Sequence, residues 1–278
     1  MGSVYYNGKF IKKTNFLFSI ENRGLRYGDS FFETIKCDNG NPLFWDEHYF
    51  RIAGSFCVLQ MDPPTGFDME QMKSIIQNVL TYNDLHLAPA RVRITFFRVA
   101  GGYYLPQKNN VSFFIEAEKT PKREYQLNKP GLNVTFYREN LIAKNNISNV
   151  KSNNKLINIL ASIYAKNNKY DDCILLNQDQ DVVESISGNI FIVSSNTLIT
   201  PLLNDGCVDG VMRRILLKDK SLNTREMSIS ISDVLNAEEV FLTNVISGIK
   251  WISSIRNNTY EYQTSKKVID MLNKRYLV

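Results

Sequence analysis

The sequence predicts an α+β protein of two domains, and three observations predict it. The chain has 278 residues, and domains usually run to ~100–200 residues, so one large or two modest domains fit. Period-two apolar alternation and 3.6-period apolar stripes occur along the whole chain, so strands and helices are mixed. Lys119 to Pro130 is polar, charged and bounded by prolines, the composition of a linker, and the pattern changes after it. The division is a small α+β domain over residues 1–119, a linker over 120–130 and a larger domain over 131–278.

In the first domain, Ser3–Tyr6 and Lys9–Lys12 flank Asn7-Gly8, a two-residue hairpin signal. Phe31–Cys37 and Pro42–Trp45 form a second pair around Asp38–Asn41. Asp46 reads as a helix N-cap, with the helix running to about Leu59 and Phe50, Ala53, Cys57 and Val58 turned inward. A second helix fits Asp68–Tyr82, with Met69, Met72, Ile75, Ile76, Val79 and Leu80 on one side. Arg91–Val99 and Val111–Ala117 read as strands. In the second domain, Leu132–Tyr137, Asp172–Leu176, Ile190–Val193, Thr197–Thr200 and Val240–Thr243 read as strands. Asn153–Lys166 is a helix with Leu156, Ile157, Leu160 and Ile163 on a face. Val211–Leu217 starts another helix, and Ser265–Tyr276 closes the chain. So many short strands with intervening helices suggest a barrel-like sheet.

Hydrophobic residues make up 44% and charged residues 22%, enough for a core with an ordinary soluble surface. The net charge of +5 is spread along the chain, which speaks against a nucleic-acid reader with a basic face. No apolar run approaches the ~18 residues of a membrane helix, and the first residues show no signal pattern. Cys37, Cys57, Cys173 and Cys207 lack CxxC spacing, and the first three lie in apolar stretches. Buried free thiols and a reducing cytoplasm are the expectation. With only His48 and His86, a His-rich metal site is excluded and no metal is expected. A Ser-His-Asp triad would need one of two histidines that sit in no nucleophile motif. Demanding chemistry would then rely on a cofactor, or on carboxylates and lysines.

Five segments can carry such chemistry. Lys151 stands where an extended stretch meets a helix, with Lys155 one turn on. A desolvated lysine beside another cation loses its proton more readily and can form a Schiff base. Glu184 lies between an apolar strand and a turn rich in Ser, Gly and Asn, where an acid could face a pyridine nitrogen. Asp209-Gly210-Val211-Met212 opens a helix whose backbone N–H groups could take a phosphate. Arg51, in Glu47-His48-Tyr49-Phe50-Arg51, could reach a phosphate as a charged fork. Arg23 to Thr34 combines a turn, basic residues and aromatics, suited to a substrate wall. Read locally, each has an ordinary alternative: solvated lysines, a turn glutamate, a capped helix start, a surface arginine, a structural turn.

The order and spacing of these segments are more specific than any one of them. From the Tyr-Asn-Gly-Lys hairpin to Ile252, through RGLRYGDSFFET, EHYFRI, VKSNNKL, VVESISGNIF, DGVMRR and EEVFLTN, the chain resembles the fold type IV pyridoxal-phosphate enzymes. These comprise the class IV aminotransferases and the 4-amino-4-deoxychorismate lyases. The resemblance implies a D-amino acid aminotransferase-like architecture with pyridoxal 5'-phosphate between the two domains, usually in a homodimer that completes each pocket. It implies that Lys151 is the Schiff-base lysine and proton shuttle, and that Glu184 is the acid at the pyridine nitrogen. Arg51, the amides of Val211 and Met212, and the turn at Asn244 and Val245 would bind phosphate. Arg98 would meet a substrate carboxylate, and Arg26 and Tyr27 would edge the pocket. The implied activity is amino transfer between an amino acid and a 2-oxo acid. The alternative is a lyase that gives 4-aminobenzoate and pyruvate from aminodeoxychorismate. A remoter one is a ligand-binding domain without turnover. Met212 and Val245 stand where branched-chain enzymes often carry Thr, and Leu25 where D-amino acid aminotransferases carry Tyr. The GVMR, FRVAGG and TNVI forms look more like the lyase branch.

Overall fold

The computed structural model describes residues 2–277. The chain forms two compact units, Met1–Arg123 with Val150–Asn154, and Glu124–Asn149 with Lys155–Val278. Residues 150–154, assigned from the sequence to the second domain, therefore pack with the first unit.

The first unit contains β1 (Ser3–Tyr6), β2 (Lys9–Lys12), α1 (Arg23–Tyr27), β3 (Ser30–Asp38), β4 (Asn41–Pro42), α2 (Trp45–Val58), α3 (Met69–Tyr82), β5 (Ala90–Arg98) and β6 (Val111–Lys119). Its strands lie in the order β2-β1-β6-β5-β3-β4, every neighbour antiparallel. The β1–β2 turn forms at Asn7-Gly8, both with positive φ (42° and 95°), as a twist-matched hairpin turn requires. Asp68 caps α3 by accepting from the Gln71 N–H, and α3 buries Met72, Ile76, Val79 and Leu80 against Ile35, Val92, Ile94 and Ile115 of the sheet.

Three expectations fail in α2. Trp45 belongs to the helix rather than to a strand, and the cap position is Phe44, with φ 55° and no side-chain cap. Asp46 lies in the first turn, where its charge still suits the helix dipole. The buried face carries Trp45, His48, Arg51, Ile52, Ser55 and Phe56. The predicted inward residues look elsewhere: Phe50 is 59% exposed, and Val58 and Cys57 are exposed too. The apolar count misleads because the polar residues of the true inner face have partners among the described residues of the unit, His48 Nε2 excepted. Arg51 and His48 meet Glu33, and the Ser55 hydroxyl donates to the Arg51 carbonyl at 2.8 Å, so their burial is compensated.

The second unit contains β7 (Leu132–Ile142), α4 (Leu156–Asn167), β8 (Asp172–Asn177), β9 (Val182–Ser185), β10 (Asn189–Ser194), β11 (Thr197–Thr200), α5 (Val211–Lys218), β12 (Thr224–Glu226), α6 (Ile231–Leu235), β13 (Glu239–Asn244), β14 (Gly248–Ile255), β15 (Asn258–Thr259) and α7 (Gln263–Tyr276). Its mixed sheet runs β12-β11-β10-β13-β14-β7-β8-β9, with β15 on β14. It curls as a half-barrel, as the sequence predicts, around Val134, Ile174, Ile190, Ile192, Val240, Leu242 and Ile252.

Helix α4 lies on β7 and β8 through Ala161 and Ala165, with Ile157 and Tyr164 beside them, against Tyr137, Cys173 and Leu175. Small residues let the helix come close to the strands. Of the stripe expected to face inward, only Ile157 packs against this core, while Leu156, Leu160 and Ile163 face out and are exposed, as is Ile159. Among the described residues no helix is long and apolar enough to cross a membrane. The corrected faces give a stability test. Ile94→Ala, in the fully buried centre of the first sheet, is expected to cost about 2–5 kcal/mol. Leu156→Ala, at a 73% exposed position, is expected to stay within about 0.5 kcal/mol. Urea unfolding of both variants decides, and comparable losses would show that α4 is covered.

Candidate active site

In the first unit, the chemistry gathers on the two faces of β3. Residues 150–154 run along this strand. The Phe32 N–H donates to the Lys151 carbonyl at 3.0 Å, and the Asn153 N–H to the Ser30 carbonyl at 3.0 Å. Ser152 bridges Phe31 in an antiparallel pair. Lys151 thus sits on an extended segment five residues before α4, not at the helix start. Its amine lies 4.8 Å from the centre of the Phe32 ring. The Arg93 guanidinium stacks on the same ring at 3.7 Å. Gly28 leads into β3 with φ 65°, in the left-handed region that favours glycine, and a Cβ there would fall 2.1 Å from Asn154 Oδ1, so the Asn154 side chain would have to turn away.

Strand alternation sends Glu33 to the opposite face, towards α2. There Arg51 donates from Nε to Glu33 Oε2 at 3.0 Å and from Nη2 to Oε1. His48 Nδ1 lies 2.9 Å from Oε1. Burial pushes the Glu33 carboxyl up, but the Arg51 cation and then His48 hold it well below the usual carboxylate range. Burial pushes the His48 imidazole below its ordinary value, and the Glu33 charge restores only part of that.

Arg98 is engaged differently from the expectation. Its guanidinium donates to Asp29 (3.0 Å), the Gln60 carbonyl (2.8 Å), Asn109 (2.7 Å) and the Leu59 carbonyl (2.8 Å). These bonds take four of five N–H groups, so Arg98 braces loops rather than presenting a fork to a carboxylate. Arg23, read from the sequence only as part of the Arg23–Thr34 wall segment, is buried beside it. It donates to the same Asp29 oxygen (2.8 Å) and to the carbonyls of Gly101 (3.2 Å) and Tyr103 (2.5 Å). Arg26 lies exposed at the end of α1. Tyr27 is half-buried, 5.0 Å under the Arg23 guanidinium and 5.7 Å from the Tyr104 ring. Arg93 was missed as well. In Arg91-Val92-Arg93 the alternation reads as the solvated side of a strand, and only the register beside Phe32 reveals its position.

In the second unit, Glu184 is buried on β9 and accepts the Val208 N–H at 2.8 Å. Asn189 Nδ2 donates to the Val208 carbonyl at 2.8 Å, so residue 208 is held from both sides. Val211 and Met212 open α5 and are buried; the helix has no side-chain cap and no acidic residue in its first turn. A Cβ on Gly210 would fall 1.8 Å from Asn189 Oδ1. Asn244 Oδ1 accepts from the N–H groups of Ile246 (3.0 Å) and Ser247 (2.9 Å). The Val245 carbonyl accepts the Tyr125 hydroxyl at 2.8 Å. Next to this turn, Thr243 Oγ1 is buried without a hydrogen-bond partner among the described residues. An uncapped helix start, a close-packed glycine and an unmatched hydroxyl suit an anion with several oxygens.

Residues 30–255 match the family described as amino-transferase class IV. The chain belongs to this family. Class IV aminotransferases and the related lyase depend on pyridoxal phosphate. The chain is 29% identical over 251 residues to a putative branched-chain-amino-acid aminotransferase of Methanocaldococcus jannaschii, covering 88% of this chain and 85% of that protein. It is 25% identical over 270 residues to an aminodeoxychorismate lyase of Bacillus subtilis, covering 95% and 90%. Its fold matches a branched-chain aminotransferase of Thermoproteus uzoniensis with a TM-score of 0.87 at 21% identity, over 98% of this chain and 94% of that one. This class IV enzyme thus has relatives on both sides of the transferase–lyase divide.

The loop after Glu184 generates a pH test. Asp172 Oδ1 accepts the Cys173 N–H (2.7 Å) and the Ile186 N–H (3.1 Å), while burial pushes its carboxyl up to about 6. An unfolded Asp releases its proton near pH ~4. The folded state therefore holds the extra proton between about pH 4 and 6, and stability falls across that window by up to about 3 kcal/mol. Asp172→Asn keeps an acceptor oxygen without the charge. It is expected to raise Tm at about pH 7.5 and leave it unchanged near pH 4. The same shift at both pH values would contradict this.

Proposed function

We propose that this class IV enzyme is an aminotransferase that moves an amino group between an amino acid and a 2-oxo acid, with Lys151 holding pyridoxal phosphate. The observation that carries the proposal is the Phe32 ring, with the Lys151 amine and the Arg93 guanidinium both set against it. An amine to be deprotonated gains from a neighbouring cation and an aromatic, partly dry surface. A guanidinium beside it suits the carboxylate that amino acids and 2-oxo acids share.

When bound, the cofactor supplies an aldehyde for condensation with amines and a ring that accepts the electron pair left when a neighbouring C–H bond breaks. Lys151 Nζ would hold the aldehyde carbon and, once released, accept and return the α-proton of the substrate. Glu184 would keep a proton on the ring nitrogen. Arg51, the Val211 and Met212 amides and the Asn244–Val245 turn would hold the phosphate, and Tyr27 and Arg26 would edge the substrate's approach. The resemblance also supports a homodimer and a cytoplasmic location.

The lyase reading keeps the same residues and differs in what leaves. It is favoured by Met212 and Val245, both buried, where branched-chain enzymes often carry Thr. The lyase needs no 2-oxo acid acceptor and releases pyruvate with an aromatic amine; the transferase stops after a half-turnover without an acceptor. Wild-type protein supplied with pyridoxal phosphate is expected to show a visible absorption band that borohydride converts into a covalent adduct on Lys151. Lys151→Ala is expected to lose the adduct, and turnover roughly 10²–10⁴-fold. An adduct of equal yield in the variant would remove the proposal. Arg93→Ala is expected to raise KM for the 2-oxo acid roughly tenfold or more with kcat nearly unchanged. An unchanged KM would place the carboxylate elsewhere.

A further inference from the structure

Glu33 is a buried carboxylate with an unusual concentration of donors. Besides Arg51 Nε and Nη2 and His48 Nδ1, the Thr34 N–H donates to Oε1 at 3.0 Å. Glu33 and His48 are almost wholly buried, and Arg51 is 7% exposed. Because Glu33 is an anion and accepts only, His48 carries its proton on Nδ1. Its Nε2 is then a bare acceptor, without a partner among the described residues.

Stability does not account for this cluster. Withdrawing a carboxylate and a guanidinium from water costs about as much as their attraction returns, and apolar residues of similar size hold a helix to a sheet at least as well. What a two-point carboxylate–guanidinium contact does provide is direction. It fixes the guanidinium plane, which a single contact leaves free to rotate. Glu33 is fixed in turn by its own strand through Thr34 and by His48, one turn before Arg51 on α2.

We propose that Glu33 and His48 are positioning residues for phosphate recognition: Glu33 clamps the Arg51 guanidinium in one plane and His48 clamps Glu33, so that Arg51 meets the phosphate already oriented. This rests on the reading that Arg51 takes the phosphate of pyridoxal phosphate. It adds that the preference for the phosphorylated cofactor over pyridoxal is set partly by two side chains that touch neither.

The test is the ratio of affinities of the cofactor-free protein for pyridoxal phosphate and for pyridoxal, titrated by absorbance, with Tm recorded for each variant. Arg51→Ala is expected to abolish most of the wild-type preference. Glu33→Gln keeps one acceptor oxygen but loses the charge and the second acceptor. It is expected to reduce the preference roughly 10–100-fold, as groups standing behind a direct ligand commonly do, with pyridoxal affinity unchanged. In the Arg51→Ala background, Glu33→Gln is expected to change the preference no further, since the two act as one unit. His48→Asn, which places an N–H donor where Nδ1 stands, is expected to keep the preference, and His48→Leu to lose it. The two His48 variants carry the test if Glu33→Gln does not fold. A merely structural role would weaken both ligands alike and leave the ratio unmoved; that outcome, with Arg51→Ala still losing preference, overturns the proposal and leaves the cofactor reading standing. A full preference in Arg51→Ala overturns it too. Wild-type protein that binds neither compound removes the cofactor reading itself, and the proposal with it.

Discussion

The first unit depends on residues 150–154 being held along β3. This short stretch has no helix or hairpin of its own, yet its backbone is fixed by the Phe32–Lys151 and Asn153–Ser30 hydrogen bonds. Pairing with a rigid strand decides where the lysine side chain emerges, because successive residues of an extended chain point to opposite sides. The same alternation divides the labour of β3. Phe32 presents its ring to Lys151 and Arg93, while its neighbours Phe31 and Glu33 turn to the core under α2. One strand therefore supports an amine on one face and a guanidinium on the other.

The two units handle negative charge in contrasting ways. In the first, an arginine cation is present but already committed to a carboxylate. In the second, the attraction for an anion comes from backbone: the uncapped start of α5 and the turn at Asn244. Partial charges on peptide groups cannot be protonated away or rotate out of place, so the start of α5 needs no ion pair to keep it in order. The arginine, at the end of a flexible side chain, does need one.

Much of the fold was legible in the sequence because it is encoded locally. Asn7-Gly8 specifies its turn by backbone chemistry alone, and α3 has one apolar face and one polar face with no ambiguity between them. The inner faces of α2 and α4 were misread for one shared reason. Apolarity marks a buried face only when the partner is apolar and roomy. In α2 the partner is Glu33, so His48 and Arg51 go inside and Phe50 stays out. In α4 the partner is the β7–β8 pair, on which Ala161 and Ala165 pack while Leu160 stays out. The order of motifs pointed to Lys151, Glu184 and the start of α5, but not to the pairing of Lys151 with β3. That contact joins segments far apart in the chain and leaves no periodic trace. Arg98 and Arg93 show the same limit: arginines near a glycine turn and on a strand look alike in sequence, and only the tertiary register separates the brace from the half-buried cation stacked on Phe32.

Asp29 and its two arginines carry a consequence of a different kind. Arg23 grips the loop between β5 and β6 by its carbonyl oxygens at Gly101 and Tyr103, and Arg98 secures the strand end from which the loop departs. Every residue owns a carbonyl, so once Gly101 and Gly102 supply the positive φ the turn needs, the grip does not depend on the side chains of residues 103–105. Tyr103, Tyr104 and Leu105 at its tip are more than 80% exposed. Evolution can therefore rewrite the tip without altering its course, and new lettering on a fixed path is an economical way for one scaffold to acquire different tastes.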